Sequence, residues 1–258
     1  MNELFRIENL RKEYKNRGFS KKTTAIDGIS AVILQDETTA VVGESGSGKS
    51  TLGMILSGLD VQSSGTLCYK GRDTRSLISS RDYRRQVQIV FQNPFDSLDP
   101  RWTVQQSMKE PIRHHRVVKR EQERMYISKL LFSCGLGEEV LEKKPGQLSG
   151  GQLQRIAIAR ILALKPDVLI ADEIVTALDA AIQSKVLDLL KDIRKQYPFS
   201  LIFISHDLAV VRRIADRIIV MKEGKILEEG KKEDIFSNPQ SEYTKALIKA
   251  IPKFRIGR

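Results

Sequence analysis

Cysteine is almost absent: Cys68 and Cys134 are the only two in 258 residues. They lie far apart and match no metal-ligand spacing, which excludes a disulfide-stapled scaffold and leaves both expected as reduced thiols of a cytosolic protein. Long apolar runs are missing as well. No stretch approaches the roughly 18 uninterrupted apolar residues of a membrane span. Residues 1–10 alternate apolar and polar side chains without an apolar block, so no secretory leader is expected. There is no internal repeat and no low-complexity tract. With 41% hydrophobic and 29% charged residues, collagen-like, mucin-like and disordered chains are excluded. What is abundant is positive charge, 43 Lys and Arg against 32 Asp and Glu, a net +11. That balance admits nucleic acid, an anionic membrane surface or nucleotide phosphates as partners, and charge alone does not choose among them. The length predicts one large domain, or a domain with an inserted subdomain, able to bury a core without disulfides or a structural metal.

The chain begins β-rich. Phe5, Ile7 and Leu10, then Ile26, Ile29 and Val32, mark short strands, and the basic stretch 15–22 with Gly18 reads as a loop. Residues 39–42 form an apolar strand that runs into glycines and then a helical pattern from Lys49. Residues 65–70 read as another strand, turned by Lys70-Gly71, and 87–91 as a β-branched run. From 105 to 140 helix formers and charges dominate, which predicts an inserted helical subdomain. Residues 168–171 and 201–204 are continuous apolar runs separated by helical sequence, as expected of parallel strands buried on both faces. Residues 218–227, with Glu223-Gly224 at the centre, predict a hairpin. The fold class is α/β.

Gly43-Glu44-Ser45-Gly46-Ser47-Gly48-Lys49-Ser50-Thr51 fits G-x-x-x-x-G-K-[ST] between a strand and a helix. The glycines let successive amides turn toward one point and form a nest for phosphate oxygens, and the following helix aims its positive end at the same anion. Lys49 is expected to reach the β- and γ-phosphates and the Ser50 hydroxyl to ligate Mg²⁺. The chain is therefore expected to bind a nucleoside triphosphate. Val168-Leu169-Ile170-Ala171-Asp172-Glu173 is an apolar strand ending in two acids. Ligand crevices of α/β sheets lie at the carboxyl ends of strands, so Asp172 is expected on Mg²⁺, through water, and Glu173 on the attacking water. Leu148-Ser149-Gly150-Gly151-Gln152 precedes a helical run, with Ser149 as N-cap. Taken alone, it suits a capped helix start as well as a second anion site.

The order of these three motifs resembles the ATP-binding cassette (ABC) ATPases, and the similarity covers nearly the whole chain. Further stretches resemble the family's landmarks. Tyr14 matches the aromatic that stacks on adenine, Gln92 the glutamine of the Q-loop, Ala177-Leu178-Asp179 the D-loop and His206 the switch histidine. The resemblance implies a P-loop NTPase fold with a RecA-like parallel-sheet core, an N-terminal antiparallel β subdomain and an inserted helical subdomain. It divides the chain into 1–92 (β subdomain and P-loop part of the core), 93–163 (helical subdomain), 164–235 (rest of the core) and 236–258 (tail). ATP and Mg²⁺ are the implied cofactors, and the reaction is ATP hydrolysis. Glu173, His206, Gln92 and Lys49 are the implied catalytic residues. Tyr14, Gly43, Ser45, Gly46, Gly48, Lys49, Ser50, Thr51, Gln92, Asp172, Asp179 and His206 would surround nucleotide, with Ser50, Gln92 and Asp172 toward the metal. Ser149, Gly151 and Gln152 would complete the site of a partner cassette, and loss of the γ-phosphate would open the dimer.

Within that family, Phe91-Gln92-Asn93-Pro94-Phe95-Asp96-Ser97-Leu98-Asp99-Pro100-Arg101 and the tail around 238–252 resemble oligopeptide, dipeptide and nickel importer ATPases. Leu148 through Arg155 and the short tail lean toward nickel or a metal chelate. The resemblance implies a peripheral ATPase at the cytoplasmic face of the cell membrane. Its partners would be a second ATPase subunit, a paralogue in a heterodimer, and two transmembrane permease subunits, with an extracytoplasmic binding protein engaged indirectly and no nucleic acid. Two other functions compete. A soluble ABC ATPase acting on nucleic acid usually carries a coiled-coil insertion or a second cassette, and a small-metabolite kinase leaves LSGGQ and His206 unexplained. Ile174 and Val175 replace the family's Pro-Thr, which is expected to loosen the backbone there, and Asp36 replaces a turn glycine. His114 and His115 are expected on a solvated basic face that continues through Arg116, Lys119 and Arg120, and not as metal ligands. Trp102 is expected to pack near the permease-docking surface, and the stretch after Glu242 to form a docked helix.

Overall fold

Short apolar runs become strands and the charge-rich stretches become helices in the computed structural model, which describes residues 2–15, 22–176 and 179–251. The elements in chain order are β1 (Glu3–Lys15), β2 (Lys22–Leu34), β3 (Thr38–Val42), α1 (Lys49–Leu56), β4 (Ser64–Tyr69) and β5 (Arg72–Asp73). There follow α2 (Arg81–Gln86), β6 (Val87–Val90), α3 (Val104–His114), α4 (Glu123–Ser133), α5 (Gly150–Leu162), β7 (Val168–Asp172) and α6 (Ala180–Gln196). The chain ends with β8 (Ser200–Ser205), α7 (Leu208–Ile214), β9 (Arg217–Lys222), β10 (Lys225–Lys231), α8 (Lys232–Ser237) and α9 (Glu242–Lys249). Most of the expected 15–22 loop and Ala177-Leu178 of the expected D-loop lie outside the described residues.

Two units result, Met1–Ile78 together with Ser200–Arg258, and Ser79–Phe199. The first carries two sheets. In the antiparallel one, ordered β2-β1-β4-β5, Phe5 faces Ile33 and Ile7 faces Leu67, all buried. In the mixed one, β3 lies between β9 and β8 and runs parallel to both. All five of its side chains are buried, as expected of a parallel strand in a sheet covered on both faces. β10 returns antiparallel to β9 through Glu223-Gly224, both at positive φ, the backbone that a two-residue hairpin turn requires. Asp36 adopts φ +64 in its turn, which an aspartate tolerates where glycine is usual.

The second unit pairs β6 and β7 in parallel and packs α3, α4 and α5 around Met108, Ile112, Ile127, Leu130, Ile156 and Ile158, all fully buried. The helical stretch expected over 105–140 is broken between α3 and α4. There Arg113 donates through Nε and Nη2 to the Glu123 carboxylate at 2.8 and 2.7 Å. Those bonds hold the Glu123 carboxyl below its usual range. The short α2 has no sequence forecast, because Tyr83 is its one buried residue and no period shows; the Ser80 hydroxyl caps it by accepting the Tyr83 N–H. Trp102, expected to pack, keeps 39% of its surface exposed. Leu130→Ala should leave a cavity and cost about 2–5 kcal/mol of stability, read as a lower urea midpoint. An unchanged midpoint would show that the helices repack without it.

Candidate functional site

The phosphate loop leaves the end of β3 under two tight constraints. Gly43 has φ +154, and a Cβ there would lie 2.1 Å from the Met221 carbonyl oxygen. Gly48 has φ +101, and its Cβ would lie 2.4 Å from the Ala25 carbonyl oxygen. Gly46, at φ +79, has no atom within 4 Å of such a Cβ, so its glycine serves the backbone angle alone. Lys49 is buried, and its Nζ donates to the Gly43 and Glu44 carbonyls, both at 2.8 Å. From outside, the Gly224 N–H donates to the Ser47 carbonyl at 3.1 Å. No acidic residue occupies the first turn of α1, where its charge would oppose an incoming anion. Ser45 and Ser50 are exposed, and Thr51 is half-buried. A glycine nest that excludes Cβ atoms, an ammonium inside it and the Ser50 hydroxyl beside it suit a nucleoside triphosphate with its Mg²⁺.

His206 is placed by the same sheet. Val42 is the register partner of Ser205, so Gly43 and His206 leave neighbouring strands at the same end. The Asp207 N–H donates to the Ser205 hydroxyl at 3.0 Å, and the Asp207 carboxylate in turn accepts the Ala209 N–H at 2.8 Å, which fixes the exposed His206 in a short turn. Tyr14, near the end of β1, donates to Asp60 Oδ2 at 2.7 Å, with the Thr51 hydroxyl bonded to the same phenol. Burial, and next the Asp60 carboxylate, push the phenol above its ordinary pKa. Lys12 bonds Asp60 and holds its Nζ 4.8 Å from the centre of the Tyr14 ring. Lys12 and Asp60 carry no sequence signal, since 48 residues separate them.

In the second unit, β6 and β7 are in register at Val90 and Ala171. Gln92 and the pair Asp172-Glu173 therefore emerge side by side from the same strand ends. Gln92 is exposed, Asp172 buried, and Glu173 takes a left-handed φ of +50. Ile174 and Val175, where the missing proline is expected to loosen the backbone, follow Glu173 directly. Ile174 and Val175 are both buried, and the Gln183 amide donates to the Val175 carbonyl at 3.2 Å. Apolar packing and this bond therefore act on the positions where the family has Pro-Thr. Ser149 and Gln152 form a reciprocal capping box at the start of α5, Ser149 Oγ accepting the Gln152 N–H and Gln152 Oε1 the Ser149 N–H. Asp179 caps α6 by accepting the Ala181 and Ile182 N–H groups. A Cβ on Gly151 would stand 3.5 Å from Ile182 Cγ2, which makes the LSGGQ turn and the start of α6 neighbours.

Several known proteins resemble this chain. The oligopeptide transport ATP-binding protein OppF of Lactococcus lactis is 43% identical over 265 residues, spanning 100% of this chain and 83% of that protein. The dipeptide transport ATP-binding protein DppF of Escherichia coli is 46% identical over 231 residues, 89% of this chain and 69% of that protein. Among solved structures, cbiO1 from Clostridium perfringens, part of the ABC transporter complex cbiONQ, superposes with a TM-score of 0.80 at 30% identity, covering 92% of each chain. A dimeric ATP-binding cassette in a post-hydrolysis state with ADP and phosphate bound gives 0.79 at 31% identity, covering 89% of this chain and 99% of that one. The family model described as ABC transporter matches residues 26–176, which run from β2 through the phosphate loop and LSGGQ to the acid pair. The chain belongs to the ABC transporter family and is an ATPase that uses ATP with Mg²⁺.

Proposed function

We propose that this ATPase powers a peptide importer, coupling ATP binding and hydrolysis at the cytoplasmic face of a membrane to uptake through two permease subunits. One observation carries the cargo class: a relative named for oligopeptide transport is 43% identical over the entire chain. The nickel or metal-chelate branch draws on Gln154, Arg155 and chain length alone, and peptides are the cargo we assign. Among the described residues no helix is long and apolar enough to cross a membrane, so in this reading contact with the membrane runs through the permeases. The second cassette would be a paralogue, with residues 93–163 as the helical subdomain facing it and 236–258 as the tail.

The roles follow from the chemistry of each side chain. The amides of the loop containing Gly43, Ser45, Gly46 and Gly48 receive phosphate oxygens, and Lys49 adds a full positive charge to them. Ser50, Gln92 and Asp172 hold Mg²⁺, which when bound neutralises charge on the phosphate oxygens. Glu173 orients a water and takes its proton, and His206 donates toward the γ-phosphate. Tyr14 offers its ring to adenine. Ser149, Gly151 and Gln152 act on the partner's nucleotide, and Asp179 sits at the same junction.

Lys49→Ala as the only copy in cells should reduce uptake of labelled di- and oligopeptides to background while nickel uptake stays at the native level. Native peptide uptake with lost nickel uptake would move the cargo to metal. Native uptake of both would overturn the importer assignment.

A further inference from the structure

We propose that Tyr243 is a positioning residue for the phosphate loop: from α9 its hydroxyl accepts the Glu44 N–H at 3.0 Å, tying the C-terminal helix to nucleotide affinity. Glu44 and Tyr243 are 199 residues apart, and each is held in place for independent reasons. The segment entering α9 is pinned to β10 by the Glu228 carboxylate, which accepts the Gln240 N–H at 2.8 Å and the Ser241 N–H at 3.0 Å. Lys222, at the end of β9, places its Nζ 5.0 Å from the centre of the Tyr243 ring. The residue before it, Met221, presents the carbonyl that backs Gly43. The end of β9 and the start of α9 therefore grip Gly43-Glu44 from outside the loop.

From inside the loop, Lys49 holds the carbonyls of the same two residues. Lys49 holds this stretch from within and the Tyr243 hydroxyl holds the Glu44 amide from without, so an ammonium that turns toward a phosphate leaves the outer bond in place. A nest of amides binds an anion best when it does not have to be ordered on binding. The outside bond supplies that order. Coupling of this kind is reciprocal, so nucleotide in the loop should steady α9 as much as α9 steadies the loop. Burial above all holds the Tyr243 phenol above its ordinary pKa, so the group stays neutral across the physiological range.

This inference rests on the nucleotide reading of the loop, and its test separates the two. In the full chain, Tyr243→Phe keeps the ring against Lys222 and removes the acceptor. It should raise the Kd for MgATP, and the KM for hydrolysis, roughly three- to tenfold, the worth of one net hydrogen bond, with kcat and thermal midpoint near native. In hydrogen exchange, MgATP should slow the amides of α9 in the native chain and fail to do so in Tyr243→Phe. A native Kd in Tyr243→Phe, or equal nucleotide protection of α9 in both proteins, would overturn the coupling. Lys49→Ala, measured alongside, should lose MgATP binding. If it binds normally, the nucleotide reading fails first.

Discussion

Glu173→Gln should lower ATP turnover by roughly 10²–10⁴-fold, the usual worth of a positioned general base, while MgATP still binds. The amide matches the carboxylate in shape and cannot accept a proton from water. The site is well suited to so conservative a change. Glu173 sits at the end of β7 with a left-handed backbone, and the turn that follows is locked by buried Ile174 and Val175 and by the bond from Gln183 to the Val175 carbonyl. The substitution therefore leaves the scaffold in place, and a loss of rate reports on chemistry. Single-turnover phosphate release, measured beside nucleotide retention on a gel-filtration column, reads both quantities. Slow release with ATP retained and the cassettes held as a dimer is the expected result. Turnover within tenfold of native would remove Glu173 from the base role and direct attention to His206 or Gln92.

Gly43→Ala should abolish measurable MgATP binding, a loss of more than about 100-fold. Two penalties act at once. The backbone there, at φ +154, disfavours any side chain, and the added methyl would lie 2.1 Å from the Met221 carbonyl oxygen and 2.8 Å from Ser47 Oγ. The Met221 carbonyl belongs to the backbone and cannot swing aside as a side-chain end could. Met221 lies in β9, which is paired with both β3 and β10. The loop must shift, and the amides that converge on phosphate shift with it. Gly46→Ala is the matched control, because its methyl meets nothing within 4 Å and only the φ of +79 is strained. That change should weaken binding by roughly tenfold, about the cost of placing one L-residue in the left-handed region. A fluorescent-nucleotide titration, with circular dichroism to confirm folding, separates the two. Equal effects at both glycines would mean that strain, and not the contact with β9, sets the loop's geometry.

The internal features of the fold were legible where the signal is local. The apolar runs behind β7 and β8 predicted strands buried on both faces, because a parallel strand whose sheet is covered on each face has no polar side to advertise, and the run behind β3 predicted a strand. The Glu223-Gly224 hairpin was legible for the same reason, since two adjacent residues carry its turn chemistry. α2 was not, because it is held by the Ser80 cap and by the burial of Tyr83, and neither makes a period. At Ile174-Val175 the one-dimensional pattern showed the missing proline and not the packing, which also acts on the backbone there.

By itself the sequence determined the chemistry that contiguous residues impose. These are the glycine loop with its lysine, the strand that ends in Asp172-Glu173, and the LSGGQ turn that caps α5. In each, a few neighbouring residues fix the backbone angles and the donors and acceptors they present, so the pattern carries the geometry. Tertiary structure alone decided what surrounds that chemistry. It set Asp60 on both Lys12 and Tyr14, Met221 behind Gly43, and Tyr243 on the Glu44 amide. Those partners lie from 46 to 199 residues apart along the chain where hydrogen-bonded, and only the pairing of strands and the docking of α9 brings them within reach.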